Sequence, residues 1–316
     1  RGDFLDYGKL LLYLVFMKEK SILSIVQRFA SQESCINHLE SIRWPDGPIC
    51  THCASTHIHN RKNSNRHLCR DCNRSFSVTV GTIMQSSKLP LPKWFAAIFL
   101  IVNAKKGISA LQLARDLDVN KNTAWYLQKR IREAMSSGSD GLLKGIVEVD
   151  ESYVGGSMTN MRKSYKKELG IYPGGMQHKK PVLGMMQRNG NVKIMVIDKA
   201  DSKTIRPLLK QHIDSSSEVV TDGFGAYRML HQTHAKHIKL NHSKGIMALG
   251  KYNTSRLDSF WTTIKRAIVG QYHRVSPEHL QSYLDEIAFK FNNKGKDLFD
   301  LLICTIAKQK QTIASI

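Results

Sequence analysis

Three aspartates in the second half of this chain have the type and setting that phosphodiester chemistry uses. Asp150 ends the apolar segment Gly145-Ile-Val-Glu-Val-Asp150, and Asp222 ends Glu218-Val-Val-Thr-Asp222. Asp258 lies in Leu257-Asp-Ser-Phe-Trp-Thr-Thr-Ile-Lys-Arg266. Seventy-one residues lie between the first two and thirty-five between the second and third. Short apolar runs of this kind read as buried strands, and a strand end holds a carboxylate rigidly. Hard divalent cations such as Mg²⁺ or Mn²⁺ take carboxylate oxygens and keep water and phosphate as their other ligands. Two such ions activate an attacking water or hydroxyl and stabilise the leaving oxygen. On a helix starting near residue 256, Asp258, Trp261 and Lys265 share one face, so Lys265 is placed as a phosphate contact. Acids at strand ends also serve as turn caps, so spacing alone leaves that alternative open. Glu148 shares the face of Asp150 and reads as a supporting group or a salt-bridged sheet residue, while alternation turns Glu151 to the opposite face.

A second set has a different chemistry. Cys50-x2-Cys53 and Cys69-x2-Cys72 are fifteen residues apart, the spacing of a four-cysteine zinc ribbon. Two knuckles close a tetrahedron with no open position, which makes the zinc structural. His52, His57, His59 and His67 read as surface or phosphate-contacting residues, with substitution for a sulfur as the alternative. His231, His234, His237 and His242 lack ligand spacing and read as exposed. His242, just before the Asp258 segment, is a candidate substrate contact.

These groups need a scaffold. The 316 residues suffice for two or three domains, and the net charge of +21 points to a polyanion such as nucleic acid. No apolar run spans a bilayer. Residues 1–16 read as an upstream extension, with Met17 as a cleaner start. N-terminal helices fill 17–47, the ribbon 48–82, and a helical domain 88–136 with helices near 109–117 and 121–136. Ser109-Ala-Leu-Gln112 and Asn120 are caps around the turn Asp118-Val-Asn120. Leu111, Ala114 and Leu117, then Ala124, Leu127 and Ile131, are the inward positions of a helix-turn-helix, with a plain helical hairpin as the alternative. Lys121, Asn122, Gln128 and Arg130 are the candidate DNA contacts on the second helix, with Lys265 and Arg266 further on. Lys129 and Arg132 also read as exposed there. Strands at 145–153, 181–188, 192–198 and 218–222, a helix at 202–214, and helices at 256–269 and 276–292 form a mixed-sheet α/β domain over 143–295. A basic loop covers 155–180, and 296–316 is a helical tail.

At this level the chain resembles the bacterial insertion-sequence transposases with an N-terminal zinc ribbon and a DDE domain, the group numbered fifteen-ninety-five. The resemblance rests on Arg43-Trp-Pro-Asp-Gly-Pro48, Cys69-Arg-Asp-Cys72, Lys88-Leu-Pro-Leu-Pro-Lys-Trp94, Ala104-Lys-Lys-Gly-Ile-Ser109, Val147-Glu-Val-Asp-Glu-Ser-Tyr-Val-Gly-Gly156, Thr221-Asp-Gly223, Phe260-Trp261 with Lys265-Arg266, and Val275-Ser-Pro-Glu-His-Leu280. It implies an RNase H-like catalytic domain holding catalytic Mg²⁺ or Mn²⁺ at Asp150, Asp222 and Asp258. It further implies cleavage and strand transfer at terminal inverted repeats and target DNA, at least a homodimer, and a cytoplasmic, nucleoid-associated place. The family's third acid is usually Glu, and its His-x-Asn before that acid is replaced here by Tyr252-Asn-Thr-Ser255. The alternatives are a decayed or repurposed transposase that binds DNA without cutting, and a nuclease that cuts without joining.

Overall fold

The computed structural model describes residues 21–60, 64–136, 141–155, 162–168, 179–228, 230–241 and 244–309. The extension 1–16, most of the basic loop and His242 lie outside the described residues. In chain order the first elements are helices α1 (Ile22–Arg28) and α2 (Gln32–Arg43) and strands β1 (Ile58–Asn60), β2 (His67–Cys69) and β3 (Ser75–Phe76). Helices α3 (Leu91–Asn103), α4 (Ala110–Leu117) and α5 (Lys121–Ser136) follow, then β4 (Ile146–Val154) and α6 (Lys163–Glu168). Next come β5 (Lys180–Gln187), β6 (Val192–Val196), α7 (Ser202–His212), β7 (Glu218–Thr221), β8 (Lys236–Lys239), β9 (Ala248–Leu249) and β10 (Tyr252–Asn253). The chain ends with α8 (Ser255–Ala267), α9 (Pro277–Asn292) and α10 (Leu298–Lys308). It divides into two compact units, 1–103 with 113–128 and 295–316, and 104–112 with 129–294, so the division falls inside α4 and α5. No helix among the described residues is long and apolar enough to cross a membrane.

The first unit is built on α3, whose buried Trp94, Phe95, Ala97, Ile98 and Ile101 leave it little polar face. Ser31 and Ser34 close a capping box that starts α2 against it. Asp297 caps α10 by accepting from the N–H groups of Phe299 and Asp300, and Phe299 then packs 6.0 Å from the rings of Phe29 and Phe95. The antiparallel strands β1–β2–β3 carry the cysteine knuckles. Their packing residues are Trp44, His67 and Phe76.

The second unit is a mixed five-stranded sheet in the order β6-β5-β4-β7-β8. The pairs β4–β5 and β5–β6 are antiparallel, and β7 and β8 run parallel to β4, an arrangement consistent with an RNase H-like domain. Parallel neighbours need crossovers, and α7 lies on the connection that carries the chain from the β6 edge back to β7 beside β4. Strand β8 lies in the segment read from sequence only as a loose histidine cluster. Alternation along β4 and β5 sends Val147, Val149, Leu183 and Met185 into a core shared with Ile205, Leu209 and Tyr227. The other face meets Leu257, Phe260, Trp261 and Ile264 of α8 and Leu280 and Leu284 of α9.

Two inward assignments change. Leu111 is exposed and Leu113 takes its place, because Leu113, Ala114 and Leu117 complete the buried stripe of so short a helix. Arg132, expected on the surface, is buried against Glu286 at 2.7 Å with its guanidinium 3.8 Å over the Tyr283 ring. Lys290 pairs with Glu286 at 2.6 Å. Burial opposes the charge on Glu286, but Lys290 and Arg132 outweigh it and hold the carboxyl below its usual range.

Gly184 pairs with Asp150 across β4–β5, and a Cβ there would stand 2.7 Å from Trp261 Cζ2 and 3.0 Å from Leu257 Cδ1. Gly184→Ala is expected to lower stability by about 1–3 kcal/mol through overpacking, read as a shift in the urea midpoint. An unchanged midpoint would show that α8 gives way freely.

Candidate active site and metal centre

Register brings the first two acids together. Glu148 is the parallel partner of Val220, so two residues further, just past the end of the ladder, Asp150 stands beside Asp222. Adjacent strands lie about 4.8 Å apart. Asp258 is in the first turn of α8, and both Asp222 and Asp258 act electrostatically on Asp150. Asp150 sits in the middle of β4 rather than at the strand end expected from the sequence, because pairing with β5 carries β4 on to Val154; Asp222 follows the end of β7 beside it, and Asp258 bears on Asp150 from α8. As a set their oxygens are spread wider than 4.8 Å; among the described residues only the four cysteines gather their donor atoms within that distance.

Each carboxylate is held by a neighbour. Asp150 Oδ2 accepts from the Trp261 indole N–H at 2.9 Å, Asp222 Oδ1 from the N–H of Phe224 at 3.0 Å, and Asp258 Oδ2 from the Thr254 hydroxyl at 3.3 Å. Burial, with the charges of Asp222 and Asp258 added, pushes Asp150 up to about 6. Burial likewise pushes Glu151 up to about 7. On the opposite face of β4, the Tyr227 hydroxyl donates to Glu151, which ties the turn after Asp222 to the strand carrying Asp150. Glu148 is fully buried. It accepts from Arg188 at 2.9 Å and from the backbone N–H of Leu257 at 3.2 Å, so it anchors the start of α8. Lys265 and Arg266 are exposed in the last turn of α8.

Trp261, Tyr227 and Arg188 were not legible as parts of this site. Trp261 shares a helix face with Asp258, and that spacing was the available signal; nothing in the sequence pairs it with Asp150. His234 and His237 are not exposed either. His234 is buried, and His237 meets the Thr221 hydroxyl at 2.9 Å next to Asp222.

The cysteines form a compact thiol set, with Cys50 and Cys72 sulfurs 3.6 Å apart and Cys53 and Cys69 sulfurs 3.5 Å apart. Backbone N–H groups of Cys72 and Asp71 favour the Cys69 thiolate and bring it to about 6. Four sulfurs at this spacing suit a tetrahedral zinc ion. His67 is not a ligand: it is buried beside Trp44 and bonds Glu40 at 2.8 Å. Exposed His57 pairs with Asp71 at 3.0 Å.

On α5, Asn120 caps the helix by accepting from the N–H groups of Asn122 and Thr123. Lys121, Asn122, Trp125, Tyr126 and Lys129 occupy its exposed face. Gln128 does not. It is 1% exposed, because four residues from Ala124 it falls on the apolar stripe with Leu127 and Ile131. Arg130 is half-buried and pairs with Glu133 at 2.8 Å.

Residues 142–292 match the ISXO2-like transposase domain and residues 30–75 the transposase zinc-ribbon domain. A protein of Halobacterium salinarum described as an uncharacterized protein in transposable element ISH50 is 27% identical over 293 residues, covering 89% of this chain and 98% of its own length. An uncharacterized transposase-like protein of Haemophilus influenzae is 28% identical over 102 residues, 32% of this chain and 81% of its own length.

Two measurements follow from the site. Cys53→Ser is expected to lower bound zinc below one ion per chain and loosen the ribbon, read by elemental analysis and limited proteolysis; full zinc content would exclude a four-thiolate site. The Asp150 carboxyl takes its proton more readily folded, at about 6, than at the ordinary 3.8. Its contribution to stability is present below the ordinary value and lost as pH rises through 6. Asp150→Asn without added divalent metal is expected to gain about 1–3 kcal/mol over the parent at pH 8 and almost nothing at pH 4. Urea unfolding at both values reads it, and a gain independent of pH would contradict the burial account.

Proposed function

We propose that this chain, which matches the ISXO2-like transposase domain and the transposase zinc-ribbon domain, cuts DNA at terminal inverted repeats and joins the freed 3′-hydroxyl to target DNA. The observation that carries this reading is that Asp222, beside Asp150 in the β4–β7 register, and Asp258 on α8 both act electrostatically on Asp150. Their donor set is all carboxylate, which suits Mg²⁺ or Mn²⁺. The ions, when bound, would activate the attacking oxygen and stabilise the leaving one. A spread wider than a single-ion cage fits acids that share a pair of ions about 3.5–4 Å apart. The protein's own part is placement. Trp261 orients Asp150, Phe224 N–H orients Asp222, and Glu148 sets the start of the helix bearing Asp258. Lys265 and Arg266 contact the phosphate backbone beside the acids.

The exposed face of α5 with Lys121 and Asn122 is the proposed reading surface of a helix-turn-helix, and Arg130 borders it. The basic ribbon, with Arg66, Arg70 and Arg74 exposed, adds backbone contacts. Bringing two element ends together calls for at least two copies of the chain. The exposure of Asp258 favours a second reading, a DNA-binding descendant that no longer cuts.

With Mg²⁺ or Mn²⁺ and a duplex bearing the inverted repeat that flanks the gene, the parent is expected to give both nicked and strand-joined products. Asp150→Ala, Asp222→Ala and Asp258→Ala are each expected to lower cleavage by about 10³-fold while leaving duplex binding within a few-fold. Binding without cleavage by the parent would select the second reading, and nicks without joined products a plain nuclease.

A further inference from the structure

Three large apolar side chains on the segments that follow β7 and β8 stand in water. Phe224 is 39% exposed, Ile246 38% and Met247 60%. Phe224 follows Asp222 directly across Gly223 and is fixed by its N–H bond to that carboxylate. Ile246 and Met247 are linked to the end of β7 through the backbone: Leu240 N–H donates to Thr221 O at 2.9 Å, and Ile246 N–H to Asn241 O at 3.0 Å. The hairpin β9–β10 that follows is braced from beneath. Arg188 donates to the carbonyls of Lys251 and Asn253 and to Glu148, so one guanidinium joins the hairpin to the catalytic strand. Arg188 thus fixes the hairpin that follows Met247, and exposed Lys239, Lys244 and Lys251 lie along the same stretch of chain.

Large apolar side chains held out into water on a stretch of chain with exposed lysines call for an occupant. The acid cluster and the lysines name its class. Lysines complement phosphates, and rigid Phe, Ile and Met side chains are the residue types that enter between base steps and unstack them. Continuity with Asp222 places this entry at the step being cut. Resting on the reading that the acids cut DNA, we propose that Phe224, Ile246 and Met247 form an apolar wedge that enters the duplex beside the scissile phosphate and unstacks the adjoining base pair. The wedge makes and breaks no bond; it opens the step so that the phosphate reaches the acids.

The test uses full-length protein and the inverted-repeat duplex with 2-aminopurine next to the cleavage site. Binding by the Asp150→Ala protein, which does not cut, is expected to raise the fluorescence several-fold as the base unstacks. Adding Phe224→Ala and Met247→Ala to that protein is expected to abolish the rise with binding retained. In the otherwise parental protein the same pair is expected to slow cleavage of the paired duplex by at least about tenfold. A substrate mismatched at that step restores the rate. Flat fluorescence on a duplex that is bound, parental cleavage by the double variant, or a slowed rate that the mismatch does not restore would each overturn the wedge. Failure of the cutting activity itself looks different, because the parent would then cut neither substrate while the fluorescence still reports on unstacking.

Discussion

The indole of Trp261 lies over Gly184, where β5 passes Asp150, and the rest of the site depends on that close approach. Without a side chain at residue 184, α8 comes down onto the sheet far enough for the indole N–H to reach the Asp150 carboxylate. The same seating lets buried Glu148 accept the N–H of Leu257, which fixes where α8 begins and therefore where Asp258 sits in its first turn. Helix position, acid orientation and apolar packing are thus one constraint. The apolar core of Leu257, Phe260 and Ile264 supplies the free energy of docking, and the polar bonds select its register.

Charge is handled in two opposite ways in the second unit. Around Arg132, Glu286 and Lys290 the buried charges are balanced, and the carboxyl stays below its ordinary range. Around Asp150 and Glu151 burial and the accumulation of like charges push both carboxyls up, to about 6 and about 7. A frame that holds repelling acids together must be stable without them. Cores on both faces of the sheet supply that stability, and Tyr227, Trp261 and Thr254 keep the carboxylates aimed. The imbalance is what a site awaiting positive charge requires. The ribbon follows the same logic with sulfur, since four thiols held by short strands and turns gain their compensation from a cation.

The sequence made the ladders readable where periodicity is strong. Residues 146–154, 180–187, 192–196 and 218–221 are strands because their apolar patterns have one interpretation. The cysteine pairs were legible because a zinc knuckle is a local object, complete within a few residues. Strand β8 was not, because Lys236-His-Ile-Lys239 is a polar edge strand with a single buried residue, Ile238, and its pairing with β7 is not local. Gln128 and Arg132 look like surface residues by type. Their burial is set by helix phase in one case and by an ion pair 154 residues away in the other.

By itself, then, the sequence determined the residue types, the strands that carry Asp150 and lead to Asp222, the phase of Asp258 and Lys265 on their helix, and the thiol set. All of these are fixed by local spacing and alternation. Only the tertiary structure decided that Asp222 and Asp258 bear on Asp150, that Trp261 orients Asp150, and that Glu151 is tied to Tyr227. Those relations join residues tens of positions apart. They arise from the parallel register of β4 with β7 and from the seating of α8 over Gly184, which no single segment of the chain encodes.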